Sequence, residues 1–336
     1  MKVNIPTDVE IPTLDEIRAT RSRIDPYIVR TPVWRWQSEA MAKMLGPETE
    51  VWLKLELFQK TGTFKPRGAV NKLLQLSPKD RQRGVTAVSA GNHAIAVAYA
   101  AQIFGVSAKV VMPASAPLFR VEKARSYGAE VVLVEDVYEG FAEVERIQAE
   151  EGRAFVHPFE DRAIIAGQAT VGLEMCEDTP PLDMLIVPVG GGGLAAGIAA
   201  AVKRLQPGCA LYGVEPEGAD TMHRSFGSGR LESIESVRTI ATSLGAPAAL
   251  PYSYGLCRHL LEDIVLVSDE EMICGIRLLF HEMKLACEPA CAASTAALLG
   301  PLRAQAAGRR VGLILCGSNI GVDTFAELMG QDGGDD

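Results

Sequence analysis

Thr61-Gly62-Thr63-Phe64-Lys65-Pro66-Arg67-Gly68 is the stretch from which the rest of the 336-residue chain is read. Pro66 suits the first turn of a helix, where the N–H that proline lacks would find no partner in any case. That helix continues through Ala69, Val70, Asn71, Lys72, Leu73 and Leu74, so Lys65 stands at its positive end. There the helix dipole and burial both oppose the ammonium form. A lysine amine that is free near neutral pH is a nucleophile toward aldehydes. A solvated lysine opening a surface helix is the plainer reading of these eight residues alone, and the neighbouring motifs decide between the two.

Around this stretch the chain alternates strands and helices. A short helix and a Thr31-Pro32 turn occupy 14–35, and Val51-Trp52-Leu53-Lys54-Leu55-Glu56 alternates as a strand does. Downstream, Thr86-Ala87-Val88 leads through the tight loop Ser89-Ala90-Gly91-Asn92-His93 into an alanine-rich helix over 94–104. The pattern repeats with strands at 109–112, 130–135 and 154–156, and a helix follows over 163–176. Met184-Leu185-Ile186-Val187-Pro188-Val189 is an apolar strand that empties into Gly190-Gly191-Gly192-Gly193-Leu194 and a helix to about 205. A strand at 211–215 follows, then a polar, glycine-rich stretch over 227–254 expected to be loop-heavy and to bear on specificity. Ser268 with Glu271 reads as a capping box for a helix to about 285. A last buried strand, 311–315, ends at Cys316-Gly317-Ser318-Asn319.

This order predicts an α/β protein with parallel sheets. Two ligand-type loops in different parts of the chain predict two lobes. The expected large, cofactor-binding lobe comprises 1–83 and 160–329, the small substrate-closing lobe is an insertion over 84–159, and 330–336 is a frayed tail. A net charge of −9 without Lys/Arg clusters argues against nucleic acid or an anionic membrane as partner and favours a small-molecule substrate. The N-terminus has acids and a proline where a signal peptide needs an apolar run, and no stretch reaches membrane-spanning length. Seven cysteines, odd in number and without a CxxC pair, suit reduced thiols. A cytoplasmic enzyme is expected.

Four adjacent glycines between a strand and a helix leave backbone N–H groups free to surround an anion, of which phosphate is the natural example. The same residues satisfy a rival pattern: Gly191-x-Gly193-x-x-Ala196 with Glu215 closing the next strand is a dinucleotide-binding signature, the basis of a nicotinamide oxidoreductase alternative. That alternative leaves Lys65 and the 89–92 loop without a task. An amine for an aldehyde, a nest for a phosphate and an asparagine-bearing loop together describe a pocket for pyridoxal 5′-phosphate.

These motifs, with Gly167-Gln168-Ala169-Thr170 and Glu215-Pro216, resemble the fold-type II pyridoxal-phosphate enzymes, and among them the threonine/serine dehydratases. The resemblance runs from about Thr31 to Phe325. It implies the two-lobed parallel-sheet fold of the tryptophan synthase β-subunit-like enzymes, and a homodimer. It implies that Lys65 is joined to the cofactor's aldehyde, that Asn92 bonds its 3′ oxygen, that Phe64 packs by the ring, that Gly190, Gly191, Gly192, Gly193 and Leu194 hold the phosphate, and that Cys316 faces the pyridine nitrogen. A thiol there does not force that nitrogen to be protonated, which favours prompt β-elimination.

The loop Ser89, Ala90, Gly91 and Asn92, with His93 beside it, is expected to take the substrate carboxylate. Ala90 stands where serine racemases of the family carry a second serine as base, and a methyl group moves no proton. Glu215 and the Ala219 carbonyl match two divalent-cation ligands of some members, but Thr221 occupies the third acidic position. Asp220 would substitute only if the loop shifted. Thr239-Ile240-Ala241-Thr242-Ser243 replaces the common Thr-Ile-Ala-Asp-Gly, Ala169 replaces a common glycine, and Glu288 of Cys287-Glu288-Pro289 is a pocket residue. The expected activity is elimination of water and ammonia from a 3-hydroxy amino acid, L-threonine or L-serine first, giving a 2-oxo acid. The alternatives are a dehydratase for 3-hydroxyaspartate or a compatible-solute breakdown intermediate, a serine racemase and a β-replacement synthase.

Overall fold

The computed structural model describes residues 9–330. Two sheets carry the fold. The larger is ordered β1 (Val33–Trp36), β2 (Glu50–Lys54), β10 (Arg310–Ile314), β7 (Met184–Pro188), β8 (Ala210–Pro216), β9 (Asp263–Val267). The smaller is β5 (Glu130–Val134), β4 (Ala108–Pro113), β3 (Val85–Val88), β6 (Ala154–Phe155). Every pairing is parallel except the antiparallel β1–β2 edge. The central strands read as unbroken apolar runs because helices cover both faces, and all five residues of β7 are buried.

Several expected elements differ in extent. β2 stops at Lys54, and Glu56 belongs to a short 3-10 turn, where its carboxylate is buried. β1 and β9 were not expected from the pattern: each is a four- or five-residue edge strand. At the end of the 227–254 stretch read as loop-heavy, a helix opened by its proline begins, Pro251–Leu260. The Ser268 capping box is present and its helix ends at Met283. Gly330 closes the Val322–Gly330 helix, and the rest of the expected tail, like residues 1–8, lies outside the described residues.

Three helices fix the position of Lys65. Lys65–Leu74 packs on Arg162–Asp178, which packs in turn on Gly193–Leu205. The first contact requires glycine: a Cβ on Gly167 would fall 2.4 Å from the Arg67 carbonyl oxygen and 2.6 Å from Gly68 Cα. Beneath this contact lies a charged cluster with no solvent access. Arg67 bonds Glu56 through Nε and Nη2, both at 2.8 Å, and Glu174 through Nη1 at 2.9 Å and Nη2 at 2.8 Å. Lys54 Nζ reaches Glu174 and the Thr31 carbonyl, each at 2.7 Å. Burial works to raise the Glu174 pKa, but Arg67 and Lys54 together hold it at about 2. Each buried charge is thus paired, the condition under which buried charges are tolerated.

The hydrophobic core of the small sheet draws in Ala69, Val70 and Leu73 from the Lys65 helix and Ile24 from the helix Leu14–Ile24. Residues outside 84–159 therefore form part of its packing.

Candidate active site

A cavity of about 540 Å³ opens between the carboxyl ends of the two sheets, where ligands bind in open α/β folds. Phe64, Lys65, Ser89, Ala90, Gly91, Asn92, His93, the 190–194 loop, Glu288 and Cys316 all line it. β7 and β10 are neighbours in the sheet, so the loops that follow them, 190–193 and 316–319, lie side by side.

Lys65 is brought to Cys316 by a strained connection. Thr61 has φ +64°, unusual for a β-branched residue, and Gly62 follows at +78°. The turn is fastened to the segment after β10 by Phe64 N–H to the Cys316 carbonyl at 3.2 Å, Ser318 N–H to the Gly62 carbonyl at 2.9 Å and Asn319 Nδ2 to the Thr61 carbonyl at 2.9 Å. Lys65 opens its helix, as expected, and its Nζ donates to the Pro158 carbonyl at 3.0 Å. Burial lowers the amine's pKa to about 8, against the opposing pull of Cys316 and Glu288.

The four glycines owe their presence to packing as well as to any ligand. A Cβ on Gly191 would sit 2.2 Å from the Phe159 ring, one on Gly193 would meet Phe159 Cβ at 2.9 Å, and one on Gly190 would meet the Leu244 backbone at 3.1 Å. No side chain caps the Gly193–Leu205 helix, so its first N–H groups are open to an anion in the cavity.

Asn92 is gripped from three sides. Its Nδ2 donates to Glu288 Oε1 at 2.6 Å and Ser243 Oγ at 3.1 Å, and its Oδ1 accepts from Asn319 Nδ2 at 2.8 Å. Glu288, buried with its pKa raised by desolvation, also takes Arg120 Nη2 at 3.0 Å. Arg120 further bonds the Asn319 carbonyl through Nη2 at 2.6 Å and Nε at 3.2 Å, and Thr242 Oγ1 through Nη1 at 3.2 Å. Arg120, from the helix Leu118–Ser126, thus ties the small sheet's layer to loops of the large one. Nothing in the sequence marks it: the same short helix also carries Lys123 and Arg125.

Ser89 Oγ accepts the Gly91 N–H at 3.1 Å, which occupies one of the N–H groups expected to meet a substrate carboxylate and leaves the hydroxyl proton to donate. His93 is turned the other way: its Nε2 donates to the Val156 carbonyl at 2.7 Å, and burial pushes its pKa to about 3, so the ring is neutral and brings no charge to the pocket. The hydrogen bond with the Cys291 thiol and then burial push the Cys316 thiol well up, so it stays protonated. Glu215 and Ala219 do not line the cavity. The Glu215 carboxylate instead accepts the N–H groups of Met222 at 3.1 Å and His223 at 2.7 Å, fastening the Thr221–Ser228 helix, and burial pushes its pKa up to about 8.

These residues fit pyridoxal phosphate: an amine of lowered pKa, an uncapped helix start behind a glycine loop for the phosphate, and a neutral thiol share one cavity. Comparison with known proteins agrees. The chain matches the model of the pyridoxal-phosphate dependent enzymes over residues 24–317. It is 50% identical over 321 residues to the phenylserine dehydratase of Ralstonia pickettii, covering 95% of this chain and 97% of that protein. It is 38% identical to the L-threonine ammonia-lyase of Thermotoga maritima, covering 95% and 78%. The structure of maize serine racemase superposes with a TM-score of 0.89 at 34% identity, covering 95% of this chain and 97% of that one. Likeness of this extent, in sequence and in fold, makes the chain a fold-type II pyridoxal-phosphate-dependent enzyme, a lyase with threonine dehydratase-like relatives.

Proposed function

We propose that the protein is a dehydratase that eliminates water and ammonia from a 3-hydroxy amino acid whose β-substituent is neutral and apolar, with phenylserine as the preferred class and threonine as a smaller substrate. The observation that carries this reading is the charge around the cavity. Lys65 and Arg120 are its only cationic side chains among the described residues, and Arg120 is already ion-paired to Glu288 and bonded to Thr242 and Asn319. Glu135, Asp136 and Glu235 also line it. A second carboxylate on the substrate, as in 3-hydroxyaspartate, would meet acids and no free cation, an arrangement that disfavours it by like-charge repulsion. The 50% identity to a phenylserine dehydratase supports the same reading.

When bound, pyridoxal phosphate supplies an aldehyde for the substrate amine and a conjugated ring that accepts the electron pair left at Cα. The chain's own residues do the rest. The 190–194 backbone and the start of its helix hold the phosphate. Cys316, kept a neutral thiol, meets the ring nitrogen without placing a charge on it. The N–H groups at the start of the Asn92–Phe104 helix and the Ser89 hydroxyl orient the substrate carboxylate, while Glu288 and Ser243 hold Asn92 in its rotamer. Lys65, with a pKa of about 8, takes the Cα proton as free amine and returns it to the departing β-hydroxyl as ammonium. Ala90 offers no proton on the opposite face, which opposes racemisation.

Release of 2-oxo acid from phenylserine, threonine, serine, D-serine and both 3-hydroxyaspartate diastereomers tests the proposal. The expected order is phenylserine, then threonine, then serine, with little from hydroxyaspartate. A preference for hydroxyaspartate, or D-serine as the main product from L-serine, overturns it.

A further inference from the structure

The mouth of the cavity holds side chains that the elimination chemistry does not use. The helix Val137–Glu151 lies unusually close to β3: a Cβ on Gly140 would stand 2.7 Å from Val88 Cγ2. Val88 immediately precedes Ser89, so this approach sets the neighbours of Gly140 beside the loop assigned to the substrate carboxylate. Those neighbours are Val137, Tyr138 and Phe141, and all three line the cavity. The Phe141 ring is backed by Phe155 and His157, with centroids 6.5 Å and 6.1 Å away. Burial pushes the His157 pKa to about 4, and its Nδ1 accepts the N–H of Glu160 at 2.8 Å, so the backing ring is uncharged. From the other side of the mouth comes Val237, and Tyr138 crosses to that segment by donating its hydroxyl to the Ile234 carbonyl at 3.0 Å.

We propose that Phe141 and Tyr138, with Val237, form an aryl subsite that receives the β-substituent of the substrate and sets the preference for phenylserine over threonine. This deepens the substrate reading above and rests on it. The geometry is suited to one ring: the carboxylate is held at the 89–92 loop, and the β-substituent, three bonds farther out, meets the face presented by the helix that Gly140 allows to approach. Edge-to-face or offset contact with Phe141 and Tyr138 rewards an aromatic substituent beyond its area, whereas a methyl group reaches neither ring.

The test uses the holoenzyme and compares wild type with Phe141→Ala and Phe141→Leu. For Phe141→Ala, the ratio of kcat/KM for phenylserine to that for threonine is expected to fall by about 10- to 100-fold, the range a hydrophobic pocket commands. Phe141→Leu preserves packing against Phe155 and should give a smaller fall. Binding is read separately with L-phenylalanine, which has the ring but no hydroxyl to lose: its dissociation constant should weaken by about tenfold in Phe141→Ala, and that of L-alanine by less than about twofold. Equal losses for both substrates, or for both ligands, would show a structural role and overturn the subsite. A wild type that prefers phenylserine while both variants keep that preference overturns the placement and leaves the substrate reading standing. A wild type that releases oxo acid from threonine and none from phenylserine overturns the substrate reading itself, before any variant is made.

Discussion

The support behind Lys65 and the mouth of the cavity are built on opposite principles. Under Lys65, the guanidinium of Arg67, the ammonium of Lys54 and the carboxylates of Glu56 and Glu174 have no solvent-exposed side-chain surface and bond one another, with Arg21 reaching Glu174 from the edge at 2.7 Å. At the mouth, Tyr138 is 52% exposed and Val237 36%, and one hydrogen bond joins the two sides. Desolvated charges tolerate a single arrangement, because any partner removed leaves another charge unpaired in low dielectric. Half-exposed apolar side chains tolerate several. On the proposed reading, the buried charges hold the reacting amine in one place, and the mouth selects which molecules are admitted.

The sharpest way to break the inner end is at the amine itself. Lys65→Ala should reduce oxo-acid release by at least about 10³-fold, the scale of general acid–base catalysis with covalent attachment also lost. Circular dichroism should remain unchanged. The lowered pKa carries a sign: once the substrate has displaced it from the cofactor, the amine is a free base above about 8 and an ammonium below, so kcat should climb as pH rises toward 8 and level off beyond it. A profile still rising steeply to pH 10 would indicate an amine of ordinary pKa.

Next in size is the charge cluster. Arg67→Met removes the cation paired with Glu56 and one of those paired with Glu174, and should cost about 3–5 kcal/mol of stability, read as a lower denaturant midpoint. Glu174 gives this cluster a pH signature. Its pKa in the folded protein is depressed to about 2 from an ordinary 4.5, so its contribution to stability is complete above about 4.5 and is lost as pH falls toward 2. In the Arg67→Met variant that acid-side loss should shrink.

Between the two ends stands Arg120, and its substitution separates charge from shape. Arg120→Lys keeps the cation but gives up the fork that bonds Glu288, Asn319 and Thr242 together. A loss of about tenfold in kcat/KM is expected, with cofactor absorbance altered because Asn92 loses the brace on its partner Glu288. An unchanged spectrum and rate would mean that the charge alone suffices.

The same contrast explains what the sequence could reveal. The inner loops are contiguous and their backbone does the work, so the 61–68, 89–93, 190–194 and 316–319 segments can be read directly, and they meet in one cavity. The glycines were read as a demand of a bound phosphate, yet Phe159 and Leu244 press on them as well, a contact between residues more than 30 positions apart. Arg120, Tyr138 and Phe141 carry no motif. Each is an ordinary helical residue, and the partners of Arg120 and Tyr138 lie far along the chain, as Glu288 does, 168 positions away from Arg120. β1 and β9 were missed for a simpler reason: short edge strands show too few residues for a period. The helix at Pro251 did leave a signal, since proline favours the first turn.

The smallest expected effect probes the outer end alone. Tyr138→Phe keeps the ring in place and deletes only the hydroxyl that reaches the Ile234 carbonyl. A neutral hydrogen bond at a half-exposed site contributes about 0.5–1.5 kcal/mol, so KM should rise by roughly two- to tenfold with kcat little changed. The rise should be of similar size for phenylserine and threonine, because the bond joins the walls of the mouth and touches neither substituent. Substitution of the Phe141 ring should instead separate the two substrates. If Tyr138→Phe lowers kcat with KM constant, the hydroxyl is coupled to the chemistry at Lys65, and the division between a fixed inner end and a permissive mouth does not hold.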